Sequence, residues 1–294
     1  MTDPTAIPRA LENRLARAKV NLYLHVTGKR DDGFHLLDSL IVFAEAGDRL
    51  SVEAADDLSL AIDGPFADGL AAEADNLVLR AARAVAAEIG VVPRARIRLT
   101  KNLPIASGIG GGSADAAAAL AGLCQLWNAA IATERLHRIA LSLGADVPVC
   151  VDGAPSFIGG IGEEIVPAGR LPAAWLLLVN PKVPTPTPQV FKARRGDFSS
   201  PARWTTAPAT AEDLGIYLGA QRNDLTEAAR SVAPVIGDVL AAIADTQDCL
   251  LARLSGSGAT CFGLYATAAA ATAAGAAIGR RQPQWWQVAA PLAS

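Results

Sequence analysis

The sequence predicts a two-domain chain of mixed strands and helices, and three observations predict it. Its 294 residues exceed the usual size of one domain, and 51% of them are hydrophobic, ample for a core. Segments 19–27 and 95–100 alternate as strands do, whereas 113–127 and 267–279 are alanine-rich, as helices are. A glycine-rich stretch at 159–169 lies near the middle and reads as the passage between domains, giving 1–162 and 163–294.

Each element follows in order. In 19–27, Val20, Leu22, Leu24 and Val26 share one face and Lys19, Asn21, Tyr23 and His25 the other, the pattern of a half-buried strand. Asp31-Asp32-Gly33 is a turn. Residues 36–44 and 49–54 read as two more strands around a Gly47-Asp48 turn. Leu77, Ala81, Ala84 and Ile89 have helical spacing, and Gly90 ends that helix. A short strand at 95–100 feeds a glycine loop, followed by a helix over 113–127 and another over 134–143 that Gly144 stops. A buried strand spans 176–180, and the four prolines of 181–188 exclude a regular element. Residues 197–208 read as a surface loop and 223–245 as largely helical with a break near Pro234. Residues 252–257 and 260–265 flank a second glycine turn, and 267–279 is a helix packed closely against a sheet.

Residues 104–117, Pro-Ile-Ala-Ser-Gly-Ile-Gly-Gly-Gly-Ser-Ala-Asp-Ala-Ala, carry the most chemistry. Gly108, Gly110, Gly111 and Gly112 let the backbone take positive φ and approach a ligand. A helix opening there presents unpaired N–H groups and its positive dipole end, a cradle for phosphate. Ser113 is positioned to cap that helix. The lysine of the common P-loop is missing, since Gly112-Ser113-Ala114 stands in its place. The dinucleotide fingerprint is missing too, because Lys101, Asn102 and Pro104 interrupt the preceding apolar run and no carboxylate lies near 125–127. A third kind of phosphate loop is the reading.

Composition narrows the class. A net charge of −3 argues against a dedicated nucleic-acid binder. Cys124, Cys150, Cys249 and Cys261 form no Cys-x-x-Cys pair, and only three histidines are present, against a structural zinc site. The cysteines read as buried reduced thiols of a cytoplasmic protein. Asp3, Arg9, Glu12 and Arg14 leave no room for a signal peptide's apolar core. The segment 116–132, interrupted by Gln125 and Asn128, is too short to span a bilayer. Neither nucleic acid nor membrane is expected as a partner, and monomer and homodimer stay open.

Other residues have two readings each. Lys19 and Asn21 leave one strand face together, either as solvated residues or as a cation and an amide aimed into a cleft. Asp146, in Gly144-Ala145-Asp146-Val147-Pro148, is either a turn aspartate or a carboxylate placed to accept a proton in phosphoryl transfer. Ser255-Gly256-Ser257-Gly258-Ala259-Thr260 is either a hairpin connection or the second half of a phosphate site. His35 reads as the start of a strand, and Phe34 and Phe191 as core.

With these motifs in place, the chain resembles the GHMP kinase superfamily. Three motifs occur in order: Ala18-Lys19-Val20-Asn21-Leu22, the glycine loop, and the turn at 254–261. Segments AKVNLYLHVTGKRDDGFHLLDSL (18–40), GADVPVC (144–150), PTPQVFK (186–192) and RNDL (222–225) point to the branch that phosphorylates a cytidine-diphosphate-linked methylerythritol.

The resemblance implies an α+β architecture, with an N-terminal half like ribosomal protein S5 domain 2 and a ferredoxin-like C-terminal half. It implies ATP with Mg²⁺ as cofactors and phosphorylation of a 2-hydroxyl in non-mevalonate isoprenoid synthesis. By position, Asp146 would be the base and Lys19 its partner. Asn21 would hold the methylerythritol. His35 would read the cytosine edge, with Phe34 and Phe191 on its faces and Thr187 and Lys192 nearby. Pro104, Gly108, Gly110, Gly111, Gly112 and Ser113 would wrap the ATP phosphates, with Asn76 and Lys101 flanking the adenosine.

Two residues depart from the pattern. Phe34 stands where many members carry tyrosine, and Ala114 where a second serine is frequent. Homoserine and mevalonate kinases are the alternative enzymes, but they have no cytosine to read with Gly33-Phe34-His35. A ligand sensor without catalysis is the alternative class, and the presence of both Lys19 and Asp146 argues against it.

Overall fold

A computed structural model describes residues 10–68, 70 and 76–293. Among them the order is β1 (Ala10–Lys29), β2 (His35–Glu53), β3 (Leu58–Asp63), α1 (Leu77–Ile89), β4 (Ala95–Thr100), α2 (Gly111–Leu126), α3 (Thr133–Leu143), α4 (Val147–Asp152), β5 (Ser156–Gly159) and β6 (Glu164–Pro167). Then come β7 (Trp175–Asn180), α5 (Thr187–Ala193), α6 (Ala211–Gly219), α7 (Thr226–Val232), α8 (Val235–Ala244), β8 (Leu251–Leu254), β9 (Cys261–Tyr265), α9 (Ala268–Arg281) and β10 (Trp286–Pro291). The chain divides into two compact units, Met1–Arg17 with Gly47–Ile105 and Gly111–Asp152, and Ala18–Ala46 with Ala106–Gly110 and Gly153–Ser294.

In the first unit, β3 pairs parallel with β4, and β4 pairs antiparallel with the last residues of β2, Val52 opposite Ile97. Alternation in β4 decides its faces: Ala95, Ile97 and Leu99 are buried and Arg96 and Arg98 exposed. The buried face meets Val78, Ala82 and Val85 of α1 and Leu120 and Leu123 of α2 in one apolar cluster. Asn76 starts α1 by accepting the Val78 N–H at 2.9 Å, and Gly90 ends it in the left-handed region. Small residues let α2 sit close: a Cβ on Gly122 would lie 3.3 Å from Val52.

In the second unit, β10, β7, β9 and β8 form an antiparallel sheet in that order, matching the expected ferredoxin-like half. Leu177 and Val179 of β7 pack with Ile236 and Val239 of α8 and Ala271, Ala274 and Ile278 of α9. Thr267 caps α9, whose alanine face comes so near the sheet that a Cβ on Gly275 would lie 3.2 Å from Leu177. The first residues of β2 pair with β5, which pairs with β6.

Several elements differ from the sequence reading. The strand expected at 19–27 belongs to a longer one, and both its faces are buried, since Lys19, Asn21, Tyr23 and His25 are as enclosed as the apolar residues between them. Residues 36–44 and 49–54 are not two strands around a turn but one strand, β2. Gly47 is glycine for close approach, because a Cβ there would meet the Ala16 carbonyl oxygen at 2.0 Å. The stretch 159–169 contains the connection of the β5–β6 hairpin, with Gly160 and Gly162 at positive φ. Helix α5 starts inside the proline run, with a proline in its first turn where no N–H is needed. Strands β3, β5, β6 and β10 and helices α4 and α6 have no counterpart in the sequence reading, and of the four free cysteines only Cys261 is buried.

Candidate active site

The site's residues are described unit by unit. In the second unit, β1 carries Lys19 and Asn21 on one face. The Lys19 ammonium donates to Asn21 Oδ1 at 3.1 Å, and Asn21 Nδ2 donates to Ser39 Oγ at 2.8 Å. The hydroxyl of Ser39 is fixed in turn by the Tyr23 carbonyl at 2.5 Å. The amide thus sits between a cation and a hydroxyl with its orientation set.

The glycine loop lies directly on this face. The Lys19 N–H donates to the Ile109 carbonyl at 2.9 Å. A Cβ on Gly110 would come within 3.0 Å of Lys19 Cε, so the lysine stem runs along bare backbone. Gly108 and Gly110 hold φ of 78° and 64°, conformations that side chains resist. The second glycine turn grips the same loop. The Asn21 N–H donates to Ser255 Oγ at 3.1 Å, and that hydroxyl donates to the Gly108 carbonyl at 3.0 Å. The Thr260 N–H donates to the Ser107 carbonyl at 3.0 Å. Ser255 is fully buried and joins β1, the glycine loop and the second turn. The turn is both a hairpin connection between β8 and β9 and a support for the loop.

The aromatic residues lie in this unit too. His35 opens β2, and its ring stacks on Phe191 of α5 with centroids 5.0 Å apart and planes 30° apart. The structure brings these two together, whereas Phe34 is 59% exposed. Burial, followed by the positive charges of Lys29 and Arg194, holds the His35 imidazole below its usual pKa and favours the neutral ring. Thr187 and Ser257 share a hydrogen bond of 2.7 Å, joining the start of α5 to the second glycine turn. Lys192 is exposed at the end of α5. The segment 197–208 is fastened rather than loose: the Ala202 N–H and Arg203 Nε donate to Asp38 at 2.8 and 2.7 Å, and Tyr23 donates to the same carboxylate.

In the first unit, α2 begins at Gly111, two residues before Ser113, so Ser113 lies within the first turn and is not the cap. Pro104 is buried at the start of the loop, and Gly112 is exposed. Asp146 is half-buried in the turn leading into α4, where its carbonyl accepts the Cys150 N–H at 3.4 Å. Asn76 serves as the α1 cap.

Lys101 is buried between two carboxylates that the sequence reading missed. Its ammonium bonds Asp48 Oδ2 and donates to Asp115 Oδ2 at 2.6 Å. Asp48 Oδ1 accepts the N–H groups of Asn102 and Leu103 at 2.6 and 2.8 Å. Burial works against the Lys101 charge, but the two carboxylates outweigh it and hold the ammonium above its usual pKa. Burial pushes the Asp115 carboxyl up to about 7, against the pull of Lys101 and with Asp48 adding to the rise.

Comparison with known proteins gives this arrangement its class. Residues 76–154 match the GHMP kinases N terminal domain, and 207–284 match the GHMP kinases C terminal domain. The architecture is the two-domain GHMP kinase fold, that of an ATP-dependent kinase of small molecules. The homoserine kinase of Cytophaga hutchinsonii shares the fold, with a TM-score of 0.75 at 18% identity over 100% of this chain and 97% of that one. A solved 4-(cytidine 5'-diphospho)-2C-methyl-D-erythritol kinase superposes with a TM-score of 0.80 at 33% identity, covering 96% and 99% of the two chains. Over 279 residues the chain is 58% identical to the 4-diphosphocytidyl-2-C-methyl-D-erythritol kinase of Paramagnetospirillum magneticum, spanning 95% of this chain and 98% of that protein. The chain belongs to the 4-diphosphocytidyl-2-C-methyl-D-erythritol kinase family.

Proposed function

We propose that the protein transfers the γ-phosphoryl group of ATP to the 2-hydroxyl of 4-diphosphocytidyl-2-C-methyl-D-erythritol, in line and without a phosphoenzyme. The supporting observation is the Lys19 side chain laid along Gly110 and bonded to Asn21, which puts a cation against the loop proposed to wrap the phosphates. In this reading Asp146 takes the hydroxyl proton as the oxygen attacks. Lys19 is its proposed partner and offsets charge on the transferred group. Asn21 orients the methylerythritol.

The neutral His35 ring offers one donor and one acceptor to the cytosine edge, and Phe191 and Phe34 supply stacking faces. His35 covers one face of the Phe191 ring. Thr187 and Lys192 are assigned to binding the cytidine, and Asn76 and Lys101 to binding the adenosine. Gly108, Gly110, Gly111, Gly112, Ser113 and Pro104 form the phosphate loop.

Among the described residues, no three His, Cys, Asp or Glu side chains gather as a metal site. Mg²⁺ is proposed to arrive on the ATP phosphates. The division at residue 162 stays part of the proposal, supported by the two family matches falling on either side of it. No helix among the described residues is long and apolar enough to cross a membrane. A cytoplasmic location is part of the same proposal.

The test is ADP release from MgATP with diphosphocytidyl methylerythritol, and separately with homoserine, mevalonate and galactose. ADP with the cytidine compound alone, and phosphate on its 2-hydroxyl by phosphorus NMR, is the expected result. ADP with another acceptor overturns the roles given to His35, Phe34 and Phe191.

A further inference from the structure

We propose that Asp115 is a positioning residue for the nucleotide loop, acting through Lys101 to tie the two ends of that loop together. The inference rests on reading 104–117 as the ATP site, and it deepens that reading. Before the loop, Asp48 Oδ1 holds the N–H groups of both Asn102 and Leu103, which fixes the chain where it enters Pro104. The other oxygen of Asp48 holds the Lys101 ammonium. After the loop, that ammonium reaches Asp115, one turn into α2, at 2.6 Å. The cluster lies against the first residue of the helix, because a Cβ on Gly111 would meet Asp48 Oδ2 and Lys101 Nζ, each at 3.6 Å. One ammonium therefore sets where residues 104–110 begin and where α2 starts. The start of a helix decides where its free N–H groups meet a phosphate, and small displacements of binding groups are costly.

The cluster is a poor stability device. It holds two carboxylates for one ammonium, with Lys101, Asp48 and Asp115 exposed by 4%, 0% and 3%. Asp115 Oδ1 is buried without any hydrogen-bond partner. Burying charge in this way recovers little of its desolvation cost. Removing Asp115 leaves a balanced Lys101–Asp48 pair, still bonded to the backbone. Its return lies in the position of α2.

The experiment compares the full-length wild type, Asp115→Ala and Asp115→Asn by calorimetric titration with MgATP, thermal melting and turnover. Asp115→Ala should melt at or above the wild-type temperature, weaken Kd and KM for ATP about tenfold, and keep kcat within about threefold. Asp115→Asn retains an oxygen for the ammonium and should restore ATP affinity to within about twofold of wild type. Wild-type ATP affinity in Asp115→Ala overturns the inference, as does a fall in kcat at unchanged KM. Melting well below wild type also overturns it, since the cluster would then be structural. Asp115→Asn as weak as Asp115→Ala overturns it as well. A wild type that binds no ATP overturns the loop reading itself.

Discussion

Alanine at Gly108 should cost about 3–4 kcal/mol, whereas alanine at Gly112, four residues along the same loop, should cost nothing. At Gly108 φ is 78°, and a side chain in that region costs about 1–2 kcal/mol. The added Cβ would also lie 2.6, 2.7 and 2.8 Å from Ser255 O, Gly258 O and Gly258 N, all backbone. The two glycine segments must then part, and the bonds from Ser255 Oγ to Gly108 O and from the Thr260 N–H to Ser107 O are strained or lost, at about 1 kcal/mol each. At Gly112 the backbone is helical and the nearest atom to a Cβ is Leu77 Cδ1 at 3.7 Å. Alanine there favours the helix by up to about 1 kcal/mol. Because Gly112 is exposed, its new methyl should instead obstruct the nucleotide. Urea unfolding followed by ATP titration reads both quantities. The expected pattern is low stability for Gly108→Ala, and wild-type or higher stability with weakened ATP binding for Gly112→Ala. Equal stability losses, or a Gly108→Ala protein within about 1 kcal/mol of wild type, would refute the argument from backbone proximity.

Asp146→Ala should fold normally and lose about 10²–10⁴-fold in kcat, the range for a positioned base; near-wild-type turnover removes Asp146 from that role. Ser255→Ala leaves the buried Asn21 N–H without its acceptor and should cost about 1–3 kcal/mol in urea unfolding, with Ser255→Thr recovering most of it. A loss below about 0.5 kcal/mol shows that the hydroxyl is not the link described. His35 is held below its ordinary pKa of 6.5 by burial and two nearby cations, so the ring stays neutral through neutral pH. Acid protonates the ring and takes away its acceptor. KM for the cytidyl substrate should therefore rise only on the acid side of pH 6.5, and His35→Gln should lack that limb. A limb centred above pH 6.5, or one unchanged in His35→Gln, contradicts the role.

How far the sequence could be read depended on whether the deciding forces were local. Helix α1 was legible because Asn76, a 3.6-residue apolar period and Gly90 act within the segment itself. Strand β4 was legible because Ala95, Ile97 and Leu99 alternate with two arginines. The single strand β2 was not, because Gly47 and Asp48 form a good turn signal on their own. Only the Ala16 carbonyl, more than thirty residues earlier in the chain, explains the glycine, and only Lys101, Asn102 and Leu103 explain the aspartate. The helix start was misplaced for a related reason. Ser113 is a good cap by type, but Gly110 at positive φ lets α2 begin at Gly111.

The candidate site was legible in its glycines, Lys19 and Asn21, whose spacings are short motifs. It was illegible in the contacts of Ser255 and Asp48, whose partners are remote in sequence, and in the pairing of Asp115 with Lys101. These three share one physical task. A phosphate loop must leave its N–H groups free for a ligand, so it cannot hold itself in place with its own backbone bonds. Something outside must fix it, and polar groups do this with more directionality than apolar packing. In the second unit, Ser255 holds the Gly108 carbonyl and the Asn21 N–H with one hydroxyl. In the first unit, Asp48 holds two N–H groups ahead of the loop, and Lys101 carries that hold to Asp115 behind it. Both supports are buried, so water does not compete for the bonds, and both use groups whose burial is expensive when unpaired. The loop's readiness for phosphate is therefore set by residues that need never touch the phosphate. Substitutions at these positions should move ATP affinity more than the chemical step.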